Sequence, residues 1–116
     1  MAVDDHEAVR RLVERVLTQS GLTTVTAASG HEGWEAFQRQ SFSLVISDWV
    51  MPDGTGEWLV ENILVSESKV PVVILTSEPE ANCLKSEWKE KNVHYMQKPF
   101  IAPQLIDLVR RLALPS

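Results

Sequence analysis

Residues Pro71 to Thr76 read Pro-Val-Val-Ile-Leu-Thr, an unbroken apolar run with no polar alternation. A strand with that pattern is buried on both faces, and a sheet is covered on both faces when helices cross over it between parallel strands. The rest of the chain agrees. Leu44 to Ser47 and Val93 to Gln97 are further short runs, and Leu22 to Ala28, rich in threonine and valine, also predicts a strand. Between them lie apolar stripes at helical spacing. Val9, Leu12, Val13, Val16 and Leu17 form the first, closed by Ser20-Gly21. Trp34 and Phe37 mark a second helix after Ser29-Gly30. Val60, Ile63 and Leu64 mark a third, near Glu57 to Ser66, beyond the breakers Gly54 and Gly56. Pro79 suits the first turn of a fourth helix, whose stripe of Ala81, Leu84 and Trp88 is thin. A fifth, from about Pro103 to Ala113, turns Leu105, Leu108, Val109 and Leu112 inward.

With Met1-Ala2-Val3 as the first strand, five strands alternate with five helices, which predicts an α/β fold with a parallel sheet and right-handed crossovers. Met1-Ala2-Val3 is short for a central strand, so the expectation is either that the natural chain starts upstream or that the central strand is truncated. Leu114-Pro115-Ser116 directly after the last helix adds the expectation of a piece cut from a longer protein. The length of 116 residues suits one domain, taken as residues 1–116. No segment approaches the ~20 apolar residues that span a bilayer, and no basic and then apolar leader opens the chain, so the expected compartment is the cytoplasm. Cys83 stands alone, which excludes a disulfide framework or a cysteine metal cluster. The net charge of −5 argues against direct binding of nucleic acid, which needs a clustered basic face. Arg10-Arg11 and Arg110-Arg111 are too short to reverse that and read as solvated helix faces.

Four polar signals stand where strands stop: Asp4-Asp5 after Val3, Asp48 after Ser47, Thr76 after Leu75, and Lys98 after Gln97. Each alone has an ordinary reading: a helix-capping pair, a turn residue, a β-branched strand end and a surface charge. Together they share the rim beyond the carboxyl ends of the strands, where open parallel sheets bind ligands. Close carboxylates repel by about 4 kcal/mol at ~4 Å and an effective dielectric of ~20, so a converging Asp4, Asp5 and Asp48 call for a cation. Oxygen ligands without a histidine or cysteine set favour Mg²⁺ or Mn²⁺ over zinc. His6 reads as a solvent-facing first-turn residue rather than a ligand.

The series Asp4-Asp5, Asp48 with Met51-Pro52 and Gly56, Thr76, and Lys98-Pro99-Phe100 resembles the receiver domain of two-component response regulators. Gly21, Ala27, Gly30 and Glu32 fall where that family shows similar residues, and the resemblance spans the whole chain. It implies a flavodoxin-like sheet of order 2-1-3-4-5. It implies that Asp48 takes a phosphoryl group from a histidine kinase or phosphotransfer protein, and that the domain catalyses only its own phosphorylation and dephosphorylation. Asp5 and Asp48 would hold the metal directly, with the Val50 carbonyl as a further ligand and Asp4 acting through water. Lys98 would neutralise phosphoryl charge, Thr76 would donate its hydroxyl, and Tyr95 would swing inward as Thr76 moves. Lys98-Pro99 would be cis. Leu84, Trp88 and Tyr95 would share an output surface with the last helix, facing an output domain or protein, with homodimerisation left open.

Some positions depart from the family pattern. Val50 cannot orient water, Glu78 either orients water or repels phosphate, and Gly33-Trp34 places a glycine inside a helix at a cost of up to ~1 kcal/mol against alanine. Two other function classes fit the residues less well. A receiver-like interaction module that is never phosphorylated has no need of the full set of Asp4, Asp5, Asp48, Thr76 and Lys98. A phosphatase with an aspartate nucleophile wants a second acid two residues on, where this chain has Val50. A flavin-binding relative would need a hydroxyl-rich phosphate loop in place of Asp4-Asp5-His6-Glu7.

Overall fold

The computed structural model describes residues 1–66, 68–88 and 90–113. The run at the centre of the chain forms β4, Val72–Thr76, buried along its whole length. It lies between β3, Val45–Ser47, and β5, Val93–Gln97. β1, Ala2–Val3, pairs on one side with β3 and on the other with β2, Thr26–Ala27, and every pairing is parallel. The sheet order is therefore β2-β1-β3-β4-β5, as the resemblance implied. The helices are α1 Glu7–Gln19, α2 Gly30–Arg39, α3 Gly56–Val65, α4 Glu80–Cys83 and α5 Ala102–Ala113, with a 3-10 turn at Ser86–Trp88.

Alternation along the strands divides the core in two. Val73 and Leu75 join Val13, Val16 and Leu17 of α1 and Leu105, Leu108 and Val109 of α5 on one face. Val72 and Ile74 join Leu59, Val60 and Ile63 of α3 on the other, with Trp34 and Phe37 of α2 packed against them. Burial on both sides is what the unbroken apolar run demanded.

Several elements differ from the sequence expectation. β2 covers Thr26–Ala27 rather than Leu22 to Ala28, because its ladder partners are the two residues of β1 and a strand cannot extend without a neighbour to bond. The two-residue β1 is nonetheless central, bonded on both edges. Leu59, not named in the stripe of α3, is fully buried, while Leu64 is only half-buried. Pro79 caps α4 from outside instead of entering its first turn, and the helix ends after one turn where Leu84 becomes extended. Its buried residue is Cys83 and not Ala81, which is exposed. The expectation drawn from Leu114-Pro115-Ser116 lies outside the described residues.

Gly33 has a packing reason. A Cβ there would lie 3.2 Å from Leu59 Cδ2 and 3.2 Å from Val3 Cγ2, so the glycine lets α2 press onto β1 and α3. Propensity lost within the helix is offset by close packing across it.

Candidate functional site

Parallel pairing brings the carboxyl ends of β1, β3, β4 and β5 to one rim. Val3 stands opposite Ser47, and Ser47 opposite Ile74, so the residues that follow β1 and β3 emerge side by side. The backbone ties them further: Asp48 N–H donates to the Val3 carbonyl at 2.9 Å, and Lys98 N–H to the Thr76 carbonyl at 2.8 Å. Asp4, Asp48 and Thr76 are buried there.

The Lys98 ammonium joins the two buried acids. Its Nζ donates to Asp4 Oδ2 at 2.8 Å and to Asp48 Oδ2 at 3.0 Å. Burial pulls the Lys98 pKa down, but its hydrogen bonds to both carboxylates outweigh it and leave the pKa above its ordinary value. The Lys98-Pro99 bond is cis, as the resemblance implied. Asp4, expected to reach a metal through water, also accepts a bond from this lysine directly.

Asp4 and Asp5 do not act as a capping pair. The cap of α1 is His6, without a side-chain bond of its own, and its backbone N–H donates to Asp4 Oδ1 at 2.9 Å. Arg10 Nη1 donates to the Asp4 carbonyl at 2.8 Å. The His6 ring is exposed, as expected, yet its Nδ1 lies 3.4 Å from Asp4 Oδ1 and 3.5 Å from Asp5 Oδ1. Neither contact of the ring nor the role of Arg10 was read from the sequence, although Arg10 sits one helical turn past His6, on the side that returns to β1.

Asp5 carries the feature that most suggests a missing partner. Its Oδ1 is shut off from solvent and has no hydrogen-bond donor. A buried carboxylate oxygen left unpaired is costly, and a cation relieves it. Asp4, Asp5, His6 and Asp48 each offer a ligand atom, all within 4.8 Å of one another. Hard carboxylate oxygens in that number fit a small divalent ion such as Mg²⁺.

The loop after β3 is held closed. Asp48 Oδ1 accepts from Trp49 N–H at 2.6 Å, and the Trp49 carbonyl accepts from Gly56 N–H at 2.9 Å. A Cβ on Gly56 would stand 2.0 Å from the Asp48 carbonyl oxygen, so only glycine permits this approach. Gly54, at φ 96°, passes its carbonyl to Gly30 N–H at 2.8 Å and so pins the loop to the start of α2. The Val50 side chain is exposed.

Thr76 and Tyr95 meet on the backbone of one residue. Thr76 Oγ1 accepts from Glu78 N–H at 3.3 Å, and the Tyr95 hydroxyl donates to the Glu78 carbonyl. Tyr95 is half-buried, and Leu84 packs beside the same core. Trp88 departs from the expected output surface: it is buried, with its ring edge-on to Trp49 at 6.1 Å. The 3-10 turn seats it in the core, on the buried side that its place in the apolar stripe implied.

Residues 1–110 match the response regulator receiver domain family. The chain belongs to that family. This receiver domain is 31% identical over 109 residues to the DNA-binding transcriptional regulator NtrC of Klebsiella pneumoniae, a match covering 94% of the chain and 23% of NtrC. It is 32% identical over 114 residues to the response regulator protein FleR of Pseudomonas aeruginosa, covering 98% of the chain and 24% of FleR. The chain therefore spans about a quarter of the length of these curated relatives. Among solved structures, the receiver domain of NtrX from Brucella abortus superposes with a TM-score of 0.85 at 26% identity, covering 99% of this chain and 98% of that one. The chemotaxis response regulator CheY4 of Vibrio cholerae gives 0.81 at 32% identity, covering 96% and 94%. Receiver domains are signalling modules of two-component systems, and no helix among the described residues is long and apolar enough to cross a membrane.

Proposed function

We propose that this receiver domain accepts a phosphoryl group on Asp48 from a histidine kinase or phosphotransfer protein. The supporting observation is the Lys98 ammonium seated between the buried Asp4 and Asp48 carboxylates, beside the unpaired Asp5 oxygen. An Asp48 carboxylate oxygen forms a bond to phosphorus as the donor's bond to phosphorus breaks, and the leaving group departs with that electron pair. Asp5 and Asp48, with the Val50 carbonyl, would hold a Mg²⁺ ion, with Asp4 acting through water. The ion would supply charge compensation for the transferring oxygens. Lys98 supplies the rest, turning from Asp48 toward the phosphoryl group while Asp4 keeps hold of it. The transition state is loose, so placement and charge account for most of the catalysis.

Thr76 rotates its hydroxyl from the Glu78 N–H toward a phosphoryl oxygen, which loosens the turn that Tyr95 grips. The face of α4, β5 and α5 then presents a changed surface to an output domain or partner protein. Homodimerisation through that face is a further consequence to examine. Incubation with magnesium and acetyl phosphate should add one phosphoryl mass that hydroxylamine removes, as for an acyl phosphate. A mass stable to hydroxylamine would place the group on a hydroxyl instead.

A further inference from the structure

Trp49 does two things at once. Its backbone N–H donates to Asp48 Oδ1 at 2.6 Å, and its ring packs at 72° against Trp88, with centroids 6.1 Å apart. Trp88 ends the 3-10 turn after α4 and is only 6% exposed. Just before that turn, Lys85 sets its Nζ 5.2 Å over the Trp88 ring. The same ammonium pairs with Glu57 at 2.6 Å and with Glu61, both on α3. Residues 84–88 are thus fastened to α3 by charge and to the Asp48 loop by one aromatic contact. Cys83, just before them, feels the same acid: burial first, then Glu78 and Asp48, push its thiol up to about 11.

We propose that the aromatic contact between Trp49 and Trp88 carries the state of Asp48 to residues 84–88 as an output separate from Thr76 and Tyr95. The proposal rests on Asp48 being the phosphoryl acceptor. In the resting protein the Trp49 N–H bonds a full carboxylate, a charge-assisted hydrogen bond of the stronger kind. Once a carboxylate oxygen is esterified to phosphorus, the charge leaves that group and the bond weakens. The Trp49 backbone is freed to shift, and its ring edge moves against Trp88. The turn is short and held by few backbone bonds, which places it at the low-stability end of the fold, where a local event is amplified. Coupling is reciprocal in equilibrium terms, so whatever grips residues 84–88 also alters the stability of phosphorylated Asp48.

The test follows amide hydrogen exchange at residues 84–88 in the wild type, Trp49→Leu and Trp88→Phe, before and after magnesium and acetyl phosphate, with intact mass read on the same samples. In the wild type the mass rises by one phosphoryl group and exchange at these amides rises by about tenfold, a typical coupling factor. In Trp49→Leu the mass still rises and exchange no longer responds. Trp88→Phe keeps an aromatic edge and restores most of the response, which a loss of packing alone would not do. An equal response in Trp49→Leu, or a phosphorylated wild type with unchanged exchange, overturns the proposal. A wild type that never gains mass overturns both this proposal and the reading it rests on, and the mass record separates that failure from the others.

Discussion

Lys98 Nζ stands 3.0 Å from Asp48 Oδ2, joining residues 50 apart in the chain across the rim of the sheet. The side chains are 16% and 7% exposed, and Asp4, the second partner of the ammonium, is 5% exposed. The pair is therefore largely desolvated, and its charges depend on each other.

Removing that ammonium leaves two buried carboxylates facing each other. Lys98→Met should lower stability by about 3 kcal/mol, the lower end for breaking a buried ion pair. Millimolar magnesium should recover a larger share in the variant than it adds to the wild type, since an ion that binds only the folded state stabilises it by mass action. Urea unfolding with and without magnesium measures both. Equal stability of variant and wild type would show that the acids need no cation.

How much of this was legible in the sequence depends on the range over which each signal acts. The run of β4 fixed its burial, and the strand-end positions of Asp4, Asp5, Asp48, Thr76 and Lys98 placed them at one rim, because parallel pairing leaves little freedom there. Trp88 lies in the core as its apolar stripe implied, and its place on an output surface did not follow because its ring packs on Trp49, a contact with no sequence signal. The shared grip of Thr76 and Tyr95 on Glu78 depends on a turn with no composition signal. Gly56 looked like a helix breaker and proved to be a contact residue, a distinction made only by the backbone that approaches it.

That distinction can be measured. Gly56→Ala forces a Cβ to within 2.0 Å of the Asp48 carbonyl oxygen, whereas at Gly21 a Cβ meets nothing within 4 Å and only the φ of +86° is strained. Gly56→Ala should cost about 3 kcal/mol or more by overpacking. Gly21→Ala should cost about 1 kcal/mol. Comparable losses in thermal or urea unfolding would contradict the close approach at Gly56.

The most direct measurement is the intact mass of the wild type and Asp48→Ala after incubation with magnesium and acetyl phosphate. The wild type should gain one phosphoryl group and Asp48→Ala none, while circular dichroism shows both folded. A folded Asp48→Ala that gains the same mass, or a wild type that gains none, would contradict the assignment of Asp48 as the acceptor.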